Sequence, residues 1–321
     1  MQQELQFNHS ILKRFAVLDQ RERLAHAYLF IGPSGIGKTE TAVAVAKLMN
    51  CQDAQGGIFC DTCSSCIKIN TGNHPDVIVI DNGNDESIKI EQIRELLSRN
   101  KLRAFMANKK VFIIKNIENL TLDGANAFLK TLEEPAADSL LLLTASALET
   151  VLDTVKSRCH MVHFPSMSDH DLAGRLRDDH DVETENARLF AYFAQGSLGA
   201  AKKLKKMRFI DKKNGLIDEF ILNRPQEASI KSLLAKKDET RNFLNVLLSW
   251  MRDALLAKAG VRDNRLIHID RIDELNVFAR NYTFEELQAI NGSVVKMCRL
   301  LADNLNIKLP LLIIGEQLWG R

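Results

Sequence analysis

The octapeptide Gly32-Pro33-Ser34-Gly35-Ile36-Gly37-Lys38-Thr39 satisfies G-x4-G-K-[ST]. It follows the apolar run Tyr28–Ile31 and opens a helical pattern over Thr41–Met49, the setting in which this motif cradles phosphate. Glycines let successive backbone N–H groups converge on phosphate oxygens, and the helix N-terminus adds partial positive charge. Lys38 is placed to reach the β- and γ-phosphates of ATP, and the Thr39 hydroxyl to ligate Mg²⁺. A glycine-rich turn bearing a surface lysine is the plainer alternative, and the flanking strand and helix patterns argue against it.

A second cluster, Cys51-x8-Cys60-x2-Cys63-x2-Cys66, lies between the loop's helix and the apolar run at Val77. Four thiolates at this density suit tetrahedral Zn²⁺, and a closed four-sulfur shell is structural because no position remains for water. Gly56, Gly57, Asp61 and two serines supply turns between the ligands. An iron–sulfur cluster is the rival, but the C-x3-C-P continuation of the ferredoxin pattern is missing.

Phosphate binding does not imply hydrolysis. P-loop ATPases end a later strand with an acidic residue that holds Mg²⁺. Here the run Val111–Ile114 is followed by Lys115 and Asn116, a cation and a neutral amide, with Glu118 four residues past the strand. The cradle is kept and the catalytic carboxylates are absent. Further on, Ser157-Arg158-Cys159 follows a short helical stretch beyond the run Leu140–Thr144. Spacing alone makes Arg158 a surface arginine at a helix end, although an arginine there can also act on a neighbouring subunit's phosphates.

The elements that position these groups alternate. Four β-type runs (Tyr28–Ile31, Val77–Ile80, Val111–Ile114 and Leu140–Thr144) separate helical patterns at Ile88–Asn100 and Leu122–Glu134, as expected of βαβ units with a parallel sheet. Beyond Phe164-Pro165 the pattern is helical. Ser168 offers an N-cap, Glu185–Ala194 reads as a helix ending at Gly196, and two long stripes follow. One stripe is Phe243, Leu247, Trp250, Met251 and Ala254; the other is Val294, Met297, Leu301 and Leu305. The expected organisation is an α/β domain over 1–165, a small helical domain over 166–206 and a larger helical domain over 207–321.

Across 321 residues, 43 Lys+Arg stand against 41 Asp+Glu, so no global field draws the chain to DNA or an acidic membrane. The one basic run, Lys202, Lys203, Lys205, Lys206, Arg208, Lys212 and Lys213, reads first as a solvated helix face, with DNA phosphates as the alternative partner. His160 and His163, in or beside an apolar strand, read as packed neutral side chains. Cys159 and Cys298 read as buried thiols. No run approaches the ~20 apolar residues of a membrane span, and MQQELQFNHS lacks the features of a signal peptide. The expectation is a cytoplasmic protein without membrane contact.

Taken together, GPSGIGKT at 32–39, the four cysteines at 51–66, ANAFLKTLEEP at 125–135, Ser157-Arg158-Cys159 and Gly196-Ser197-x-Gly199 carry a resemblance. The sequence resembles the delta-prime branch of the clamp-loader family of bacterial DNA polymerase III, within the AAA+ superfamily. The resemblance implies an AAA+ P-loop α/β domain with a zinc insert, a small helical lid and an all-α collar that assembles a hetero-pentamer. It implies structural Zn²⁺ on Cys51, Cys60, Cys63 and Cys66, and Arg158 as a finger acting in trans on the ATP of a gamma/tau motor subunit. The other implied partners are the delta subunit and, through the assembly, the sliding clamp and primed DNA. Motor subunits carry acidic residues at the positions matching Lys115 and Asn116, and a nucleotide-sensing arginine at the position matching Gly199. The first sensor position falls within Thr144–Ser146. These departures imply a stator within the polymerase holoenzyme with little or no ATPase activity of its own; the retained P-loop leaves ATP binding, with Mg²⁺, open. The alternatives are an active gamma/tau-like motor recruiting Glu118 or Glu133, and a metabolite kinase, which the zinc insert and long helical region disfavour.

Overall fold

The computed structural model describes residues 8–319 except 55–57, 84–86, 101, 107, 137, 262–264 and 303–304. Gly56 and Gly57 of the expected knuckle turns lie outside the described residues. The chain divides into two compact units, one of residues 1–166 with 197–200, the other of 167–196 with 201–321.

In the first unit, helix α1 (His9–Gln20) precedes β1 (Ala27–Ile31), then α2 (Lys38–Asn50), α3 (Ser64–Asn70), β2 (Val77–Ile80), α4 (Ile90–Asn100), β3 (Lys110–Ile114), α5 (Leu122–Glu133), β4 (Ser139–Ala145), the single turn α6 (Asp153–Lys156) and β5 (His160–His163). The strands form one parallel sheet in the order β2-β3-β4-β1-β5. Every residue of β1 and β3 is buried, because helices cover both faces of the central strands; such strands read as unbroken apolar runs. Phe15, Phe30, Val45 and Leu142 fill the core on one face of the sheet, and Leu29, Phe112, Phe128 and Leu143 on the other. Thr121 caps α5 by accepting from the Gly124 N–H, and Pro135 lies just past its end.

β5 escaped the reading by apolar runs. It is an edge strand paired only with β1, and His160, Met161 and His163 are exposed rather than packed. The expectation of two packed histidines is corrected: both lie exposed on an edge strand whose faces, unlike those of β1, are left largely open.

In the second unit, α7 (Asp169–His180) begins at the Ser168 N-cap, whose hydroxyl accepts from the Asp171 N–H. α8 (Thr184–Ala194) stops where Gln195 and Gly196 both turn left-handed. α9 (Leu198–Lys206) has its first residues, to Ala200, grouped with the first unit and the rest with the second; after it and α10 (Phe209–Ile217), a π-turn over Asp218–Leu222 leads to α11 (Glu227–Ala235). The long α12 (Lys237–Lys258) buries Phe243, Leu247, Trp250, Met251 and Ala254, as the stripe requires. α13 (Ile272–Arg280), α14 (Phe284–Ala302) and α15 (Lys308–Trp319) complete the unit. Val294, Met297 and Leu301 are buried, but Leu305 is 54% exposed. Its N–H bonds the Leu300 carbonyl, the return of a helix terminus, which carries it out of the stripe.

Lys213 also leaves its expected place. It is fully buried within α10 and paired to both Asp270 oxygens at 2.7 and 2.8 Å, so it does not belong to the basic surface. Lys203, Lys205, Lys206, Arg208 and Lys212 are exposed.

Candidate nucleotide and metal sites

β1 delivers the chain to Gly32 at the carboxyl edge of the sheet, and α2 leaves from Lys38. Every carbonyl from Gly32 to Gly37 accepts a hydrogen bond. Lys38 Nζ donates to the carbonyls of Gly32 and Pro33, the latter at 2.7 Å. Ser197 Oγ donates to Ser34 O at 2.8 Å, and Gly199 N to Gly35 O at 3.0 Å. Asn8 Nδ2 donates to Ile36 O at 3.3 Å, and the Thr41 N–H and hydroxyl both reach Gly37 O. Among the described residues, the N–H groups of Ser34 through Thr39 have no acceptor within the protein. Oxygens tied back and N–H groups left uncommitted make an anion-binding nest.

Two glycines make this possible. Gly35 has φ +75, and a Cβ there would lie 2.8 Å from Ser197 Oγ. A Cβ on Gly199 would lie 2.6 Å from Gly35 O. The position where the resemblance puts an arginine in motor subunits is therefore packed, backbone to backbone, on the phosphate loop.

Lys38 is 6% exposed, and burial lowers its pKa against the opposing pull of Glu118 and Glu40. Glu118 is anchored by Ser146, whose N–H and hydroxyl donate to Oε1 at 2.9 and 2.5 Å. At the end of β3, Lys115 Nζ lies 2.9 Å from Asp81 Oδ2 and holds that carboxyl below its usual range. Asn116 turns left-handed (φ 49) and donates its N–H to buried Thr144 Oγ1. A salt-bridged ammonium and an amide thus stand where a metal-binding acid would be needed.

Arg158 lies between α6 and β5, its side chain 34% exposed. Nη2 donates to Glu133 Oε1 at 2.7 Å, and Nη1 to Thr154 O and Ser157 Oγ. Glu133, named from sequence as a carboxylate that an active motor could recruit, is the partner that holds it.

The four cysteine sulfurs lie within 4.8 Å of one another. Cys51 ends α2, and Cys63 caps α3, accepting from the Cys66 N–H. The N–H groups of Cys60 and Cys63 point at the sulfurs of Cys51 and Cys60. The Thr62 hydroxyl and neighbouring N–H groups pull the Cys60 thiol down to about 6, while burial pushes Cys66 up. Four sulfurs at this spacing, with N–H donors that stabilise thiolate, fit tetrahedral Zn²⁺. Asn8, which braces the P-loop from outside the motif, carries no sequence signal of its own; Ser197 belongs to the Gly196-Ser197-x-Gly199 turn, but its contact with the loop was not read from it.

A P-loop motif after β1 of a β2-β3-β4-β1-β5 parallel sheet, with a helical region following, defines an AAA+-like α/β class. The chain belongs to the DNA polymerase III delta subunit family: that family's model matches residues 7–168, and a second model, for the C-terminal part of the same family, matches 208–315. It is 29% identical over 297 residues to DNA polymerase III subunit delta' of Bacillus subtilis, covering 90% of this chain and 89% of that one. To the delta' subunit of Pseudomonas aeruginosa it is 37% identical over 143 residues, 44% of each chain. The tau subunit of B. subtilis is 32% identical over 189 residues, 57% of this chain and 33% of that one.

Proposed function

We propose that this chain is the delta-prime stator of the DNA polymerase III clamp loader in chromosomal replication. It joins gamma/tau motor subunits and the delta subunit in a cytoplasmic hetero-pentamer, which loads the sliding clamp on primed DNA. The observation that carries the reading is the division of labour among its residues. The P-loop nest is intact, Lys115 and Asn116 replace the acids, and Arg158 stands partly exposed beside the edge strand. Residues 32–39 bind ATP, with Thr39 toward Mg²⁺, and turn it over little or not at all. Arg158 leaves Glu133 for the γ-phosphate of a neighbouring motor subunit, where it stabilises the charge that develops during transfer. The four cysteines hold structural Zn²⁺, which closes the insert and takes no part in the chemistry. Residues 166–206 act as lid and 207–321 as collar.

The test is substitution in the reconstituted loader. Lys38→Ala leaves DNA-stimulated ATP hydrolysis nearly intact, whereas Arg158→Ala lowers it by about 10³-fold or more. The reverse pattern sinks the stator reading. A second reading, an active motor, draws on Glu118, which Ser146 anchors near Lys38. It predicts turnover by the isolated chain that Glu118→Gln abolishes.

A further inference from the structure

Lys47 lies on the last turn of α2, four residues before Cys51, and its side chain is 0% exposed. Its ammonium lies 2.6 Å from Asp61 Oδ1 and 4.8 Å from the centroid of the Phe59 ring. Asp61 stands between Cys60 and Cys63 in left-handed backbone (φ 60), and the same oxygen accepts from Asn70 Nδ2 at 3.3 Å. One carboxylate therefore ties three pieces together: the P-loop helix, the turn between the second and third cysteines, and the end of α3, the helix that carries Cys66.

Packing does not explain the charge. Burying an ammonium is costly, and an apolar side chain of similar length fills such a place at no loss. What only the cation supplies is a directed bond to Asp61, and Asp61 sits in the ligand turn. We propose that Lys47 is a positioning residue of the four-cysteine site: its ion pair with Asp61 holds the Cys60–Cys63 turn against α2, and metal retention depends on it. Partners of this kind outside the ligand set are worth about 10–100-fold in metal affinity. The proposal rests on the zinc reading above, and it makes the knuckle and the phosphate loop the two ends of a single 13-residue helix.

The experiment uses the full-length zinc-loaded chain challenged with a chromogenic chelator, wild type against Lys47→Met, Asp61→Asn and the double variant. Asparagine keeps the left-handed backbone at 61 without strain, so Asp61→Asn decides the matter by itself if Lys47→Met does not fold. Each single variant is expected to bind zinc about 10–100-fold more weakly. The double variant is expected to be no weaker than the weaker single, because the two changes remove one bond. Affinities within about twofold of wild type overturn the tether, even if thermal stability falls equally with and without metal. A wild-type chain that retains no zinc sinks the metal reading instead, so the two failures are distinct.

Discussion

At the scale of single residues, the phosphate loop is held by donors from distant parts of the sequence, and Ser197 is the most economical of them. Its hydroxyl donates to Ser34 O and accepts from the Ala200 N–H, so one atom fixes both strands of the contact. Ser197→Ala removes about 1 kcal/mol of net bonding. Titration with a fluorescent ATP analogue should show nucleotide affinity falling about fivefold. His268 makes a different prediction. Ser249 Oγ donates to Val246 O and so accepts from His268 Nε2, while the buried Nδ1 has no acceptor among the described residues to receive a second proton's bond. Burial holds its pKa well below the usual value, and Lys213, Arg252 and Arg271 push the same way. A depressed histidine pKa means stability is present above about pH 6.5 and is lost as pH falls from there toward the folded value. Asp253, raised by burial, acts with the opposite sign, so the comparison must be between proteins. Wild type should lose more stability to urea between pH 7.5 and 5.5 than His268→Gln does.

At the scale of elements, Lys213 and Asp270 join α10 to the short helical turn at Ile269–Arg271. Removing the acid leaves a fully buried ammonium alone, while replacing the lysine by an apolar chain leaves only a partly exposed carboxylate. Asp270→Ala should therefore cost about 3–5 kcal/mol and Lys213→Met distinctly less, measured by equilibrium denaturation. The same element shows where sequence reading stops. Lys213 looks like one more member of a basic run, because helical periodicity places it but does not say what Asp270, 57 residues away, will do. The stripe on α12 was legible because five apolar residues at helical spacing can bury together only on one face. β5 was not legible, since HMVH has no apolar run and forms a strand because β1 offers it an edge.

At the scale of the whole molecule, the four-cysteine segment is an insert between the P-loop helix and β2, and the proposed zinc should be a permanent part of the chain. Elemental analysis should find about one zinc per chain, and chelation should lower the thermal midpoint. A brown protein absorbing near ~400 nm would instead mean iron and sulfur. What the sequence determined by itself is local chemistry: the P-loop motif from its glycines and Lys38, four cysteines at a spacing that could hold a metal, and a lysine and an asparagine, not acids, after β3 at Lys115 and Asn116. Residue type and short-range spacing suffice for these, because neighbours in sequence are neighbours in space. Tertiary structure alone decided which groups meet across long separations. It set Asn8 and Ser197 on the loop carbonyls, Glu133 on Arg158, Ser146 on Glu118, and Asp61 on a lysine that is invisible among its helical neighbours. Those pairings depend on how the sheet orders its strands and how the chain returns to them, which no local pattern of hydrophobicity or charge encodes.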